Sequence, residues 1–86
     1  MQLAPLSSEA KQSSGWANYK LKHFQAAVTL LQTALVTDKA NPMIFKRLGI
    51  VYRDMGDIAS ACVAFRKYLE MEPDASDKAE FKACLR

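Results

Sequence analysis

Residues 42–73, PMIFKRLGIVYRDMGDIASACVAFRKYLEMEP, decide the fold. Phe45, Leu48, Gly49 and Tyr52 lie on one helical stripe, and Ile58, Ala61, Cys62, Phe65, Tyr68 and Leu69 on another. No segment alternates apolar and polar residues as a half-buried strand would. Between the stripes stands Gly56-Asp57, a compact stop and restart: glycine takes the left-handed geometry that ends a helix, and aspartate caps the next. Asn41-Pro42 supplies an N-cap acceptor and a proline at the first helical position, where its missing N–H costs nothing. Pro73 breaks the second helix. The stretch is a helical hairpin.

Upstream, the same pattern appears 34 positions earlier. Gly15 pairs with Gly49, Phe24 with Ile58, Ala27 with Ala61, Val28 with Cys62, Leu31 with Phe65 and Leu35 with Leu69. Six matches in one register mark an internal repeat. With Ser7 or Ser8 as first cap and Asp74 or Ser76 as last, helices are predicted over 8–20, 24–37, 42–55, 58–71 and 75–86. Linkers this short force consecutive helices antiparallel, so the hairpins stack.

The second unit resembles the tetratricopeptide repeat (TPR) through Phe45, Leu48-Gly49, Tyr52, Gly56, Ala61, Phe65 and Pro73. Tyr68 departs from that pattern, standing where the family usually has alanine, and suggests a looser contact with the closing helix. The first unit looks like a degraded copy, with Lys11, Ser14 and Asn18 where Phe45, Leu48 and Tyr52 stand later. The resemblance implies an all-α, right-handed solenoid of two antiparallel helix-turn-helix repeats plus a C-terminal capping helix. Its parts would be an extension at 1–7, a degenerate repeat at 8–41, a second repeat at 42–75 and a polar cap at 76–86. Stable arrays usually need about three repeats, so two plus a cap implies either a piece of a longer protein or a subunit that packs on a partner.

The bulk chemistry is ordinary for a folded domain. Half of the 86 residues are hydrophobic, enough for one core and too few for two. The net charge of +3 is uneven: residues 1–69 carry nine Lys/Arg against four Asp/Glu, and residues 70–86 three against five. The basic residues are scattered along helices, which favours acidic partners over nucleic acid. No run approaches a membrane span and the first residues are not a secretion signal, so a cytoplasmic protein with no membrane contact is expected. Cys62 and Cys84 form no CxxC pair, and His23 is the one histidine; no metal, cofactor or catalytic residue is assigned. The two cysteines are either reduced thiols, with Cys62 in the core and Cys84 near the surface, or a disulfide in an exported protein.

TPR proteins typically hold partner peptides in a groove lined by the first helix of each pair. On the first helix the matching face carries Glu9, Gln12, Trp16, Tyr19 and Lys20; on the third it carries Met43, Lys46, Ile50, Arg53 and Asp54. Gln12, Trp16, Lys20, Met43, Lys46, Ile50 and Arg53 are the candidate partner-binding residues, fit for an apolar anchor with acidic flanks. Trp16 and Ile50, 34 apart, are expected to be neighbours. Trp16 has an alternative role, packing on Leu3 and Leu6 or on a repeat beyond this chain, and the three cations an alternative as a solvated face. The chaperone-tail version of the groove is not expected, since Gln12, Trp16, Arg47, Asp77 and Phe81 occupy its clamp positions. A protein-binding adaptor leads, followed by a module that self-associates or supports an adjoining domain, and then by an RNA-binding repeat. None of these is an enzyme.

Overall fold

In the computed structural model, residues 7–76 and 78–85 are described, and they are all-helical, with no strand among them. Four α-helices run Ser8–Lys20 (α1), Phe24–Thr37 (α2), Pro42–Met55 (α3) and Ile58–Met71 (α4). α1 packs on α2, α3 on α4, and α2 on α3, with a lighter contact between α1 and α3. This packing is compatible with a helical repeat. The cap chemistry explains the boundaries: Ser7 accepts from the Ala10 amide, Asn41 from Met43 with Pro42 in the first turn, and Asp57 from Ser60.

The repeat is visible bond by bond in the turns. His23 N donates to Asn18 O at 2.8 Å, and 34 residues later Asp57 N donates to Tyr52 O at 2.9 Å. Lys22 N to Tyr19 O and Gly56 N to Arg53 O are the same bond again. Gly56 is left-handed at φ 90, as expected, but so is Lys22 at φ 64. A side chain there costs roughly 1–2 kcal/mol against the right-handed region, partly offset because glycine itself loses more entropy on folding. Lys22→Gly is therefore expected to raise stability by about 0.5–1 kcal/mol in urea unfolding. Loss of stability would mean the two turns are not equivalent.

Two clusters form the core. Ala27, Val28, Leu31 and Ala34 of α2 bury themselves with Ile44, Leu48 and Val51 of α3 and Ala64 of α4. Ala61, Phe65, Tyr68 and Leu69 of α4 make the second cluster with Phe81. Tyr52 packs on both and accepts a 2.8 Å hydrogen bond from Gln32 Nε2, which ties α2 to α3. Each of the two glycines related by the 34-residue register marks a close approach. A Cβ on Gly15 would stand 3.0 Å from Leu31 Cγ, and one on Gly49 would run into the ring of Phe65. Leu31 and Phe65 are themselves one repeat apart, so the two glycines do occupy equivalent surroundings.

The C-terminal segment differs from expectation. In place of an α-helix over 75–86, a 3-10 helix spans Lys78–Leu85 and packs on α4. Its hold comes from Phe81, which is only 2% exposed, stacks on Phe65 with ring centres 3.9 Å apart and meets Tyr68 edge-on at 5.9 Å. Tyr68 is thus tightly packed rather than loosely held, because the aromatic it faces needs a wide surface. Cys62 and Cys84 are joined by a disulfide, the second of the two arrangements the sequence left open, in place of a core thiol and a surface thiol. Both cysteines are half-buried. Leu3, Leu6 and Asp77 lie outside the described residues, and so does the packing of Trp16 on that N-terminal extension.

Candidate functional site

α1 and α3 lie beside each other, and their side chains meet at three points. Arg47 Nη1 donates to Gln12 Oε1 at 2.8 Å, and the Arg47 guanidinium lies 5.1 Å from the centre of the Trp16 ring. Tyr19 donates its hydroxyl proton to Asp54 Oδ2. The other carboxylate oxygen of Asp54 is 3.8 Å from Arg53 Nε. Trp16 in turn stacks on Tyr19, centroids 4.6 Å apart, one helical turn along α1. The result is an aromatic pair with a cation on its face, bracketed by two polar bridges between helices.

The predicted residues divide into three groups. Trp16, Lys20, Met43 and Arg53 are half-buried or exposed, with Met43 at 43%. Gln12 is only 7% exposed and spends its carbonyl on Arg47, so it orients that guanidinium and is not itself available to a partner. Ile50 packs against the second cluster, and Lys46 extends over the Tyr68 ring at 5.7 Å. Ile50 therefore belongs to the hydrophobic interior near the closing helix, while Trp16 is engaged by Tyr19 and Arg47. Arg53 also lies 5.9 Å from the centre of the Phe65 ring, at the edge of a shallow pocket shared with Ile58, Phe81 and the disulfide.

Sequence reasoning assigned no binding role to Arg47. Its signal was modest: it lies one repeat and one residue beyond Gln12, so it projects from α3 toward the preceding repeat. Partial burial pulls the guanidinium below the usual arginine range, yet arginine remains charged at any physiological pH. His23 occupies the N-cap of α2, where its side chain makes no capping bond. Among the described residues no cluster of His, Cys, Asp or Glu is arranged to hold a metal, and no helix is long and apolar enough to cross a membrane.

The Tyr19 hydroxyl is held above the ordinary tyrosine range, first by its hydrogen bond to Asp54, then by desolvation and the carboxylate charge, with Arg53 opposing. A phenol whose native-state pKa is raised stabilises the fold below its unfolded pKa and ceases to do so as pH rises through the native value. Stability is therefore expected to fall in the alkaline range, above about pH 10. Tyr19→Phe should remove part of that slope while costing under about 1 kcal/mol at neutral pH, since the bond is exposed. Urea unfolding of both proteins at neutral and alkaline pH checks this; identical slopes would show that the Tyr19–Asp54 bond is not made in solution.

Compared with known proteins, the chain matches no family model and no curated protein.

Proposed function

We propose that this chain is a helical-repeat module of tetratricopeptide type, stacked with the right-handed sense of that family, which binds another protein through the face shared by α1 and α3. One observation carries the proposal: the leading helices of the two hairpins are bridged side by side, with the Trp16–Tyr19 stack and Arg47 at their junction. Such a surface presents a rigid aromatic platform of low entropic cost beside cations from two helices. A partner segment with one apolar anchor and acidic flanks is its chemical complement. The contacting residues are then Trp16, Lys20, Met43, Arg47 and Arg53, with Gln12 acting through Arg47.

Screening a displayed peptide library tests this directly. Peptides carrying an aromatic or aliphatic anchor beside Asp or Glu should be enriched, with affinity that weakens as salt rises. A Trp16→Ala/Arg47→Ala/Arg53→Ala variant that keeps its helical circular dichroism should lose roughly tenfold or more in affinity, as removal of hot-spot residues does. Equal binding by both proteins, or enrichment of basic peptides, would overturn the proposal.

A second reading has its own support. α2 contains no charged residue, and it leaves Val36 68% exposed beside Thr29, Gln32 and Thr33. An uncharged, partly apolar helix face suits contact with a second copy of the chain. Sedimentation velocity across a hundredfold range of concentration separates the two, because only self-association makes the size concentration-dependent without any ligand.

A further inference from the structure

We infer that the Cys62–Cys84 disulfide is a reducible latch: a dithiol reductant opens it and frees the closing 3-10 helix from the apolar side of α4. The inference rests on the disulfide and the packing around it, not on the proposed peptide-binding face. Its starting point is how little else holds the segment. The 3-10 geometry is weak beyond a few residues, and this helix runs for eight. Phe81 is its one deeply buried side chain among those described, and the guanidinium of Arg66 adds a 2.9 Å hydrogen bond from Nε to Cys84 O. Among the described contacts the disulfide is the remaining tether, joining backbones whose Cα atoms stand 5.0 Å apart, well within bridging range.

The bond is also reachable. Both cysteines are half-buried rather than sealed, and they line the shallow pocket that Arg53, Ile58 and Phe81 share. A small thiolate entering there meets the Arg53 guanidinium at the rim, a charge that favours the attacking anion. The exchange balances in two steps. One thiolate of the dithiol attacks a sulfur of the pair, forming a mixed disulfide while the other cysteine leaves as thiolate and takes up a proton. The second thiol of the reductant then attacks the mixed disulfide and releases the first cysteine. The protein gains two electrons and two protons; the reductant leaves as its own disulfide.

Opening the bond removes the closure of a loop spanning 22 residues of sequence, which loop-entropy arguments value at on the order of a hundredfold in the docked–undocked equilibrium. Release would bare the rings of Phe65 and Tyr68, which Phe81 covers. The closing helix packs on α4, and the cluster around Phe81 also takes in Ile50 and Tyr52 of α3, so it is α1 and α2 that should not change.

Hydrogen exchange read by mass spectrometry on the full chain decides the matter, with and without dithiothreitol, alongside a Cys62→Ser/Cys84→Ser variant. The expected result is that the amides of residues 78–85 exchange at least roughly tenfold faster in the reduced chain and in the variant, while α2 keeps its protection. Iodoacetamide should modify both cysteines only after reduction. Unchanged protection of residues 78–85 after proven reduction would overturn the latch. So would equal loss of protection in α2, which would make the bond a staple of the whole domain, and so would thiols that never pair in the oxidised chain.

Discussion

Gly49→Ala is expected to lower the unfolding free energy by about 2–3 kcal/mol, because the added carbon has nowhere to go. It would lie 2.9 Å from Phe65 Cζ and closer still to two other ring carbons. The ring cannot swing aside, since Phe81 is stacked directly on it. Alanine's better helix propensity offsets about 1 kcal/mol of the clash and leaves the net sign unchanged. At the equivalent Gly15 the same substitution meets Leu31 Cγ at 3.0 Å and the Ala27 carbonyl oxygen at 3.2 Å, contacts that a small shift relieves more readily than a clash with a stacked ring. Gly15→Ala should therefore cost less, under about 1 kcal/mol once the helix propensity of alanine is counted. Combining Gly49→Ala with Phe65→Leu, which copies the first repeat, should recover on the order of 1 kcal/mol relative to additivity. Chemical denaturation of the four variants reads this; equal costs at the two glycines would show that α3 and α4 do not approach as closely as described.

Phe81→Ala is expected to cost about 3–4 kcal/mol, among the larger effects of a single truncation. Phe81 is 2% exposed and fills the space between Phe65 and Tyr68, so its loss leaves a cavity lined by two aromatic faces that cannot collapse onto each other. The effect should be read in chemical unfolding of the oxidised chain, where the disulfide keeps the backbone of the segment near α4 and the cost reports the cavity. Phe81→Leu, which keeps part of the volume, should lose about half as much. A cost below roughly 1 kcal/mol for the alanine variant would mean that the closing helix is not docked.

How far these features can be read without coordinates differs along the chain. All four α-helices are legible from the apolar period, and the starts of α1, α3 and α4 also from a residue acting on its own backbone: Ser7, Asn41 and Asp57 cap, Pro42 starts and Gly56 turns left. The equivalence of the two hairpins is legible too, because a 34-residue register carries both small positions and their large partners. Lys22 hides its left-handed turn, since lysine gives no local signal for φ 64. The face of α1 and α3 is half legible. Side-chain direction follows from helical periodicity, but that Gln12 would be consumed by Arg47, and Ile50 by the second cluster, depends on which neighbour is nearer.

What the sequence determined alone was the set of four α-helices and the 34-residue register of their apolar positions, which follow from interactions within a few residues and from helical periodicity. What only the tertiary structure decided lies at the C-terminus: that residues 78–85 wind as a 3-10 helix, that Phe81 enters the aromatic core, and that Cys84 reaches Cys62. Those outcomes depend on the shape of a hollow on α4 and on which side chain fits it, a property of assembled surfaces that no local spacing encodes.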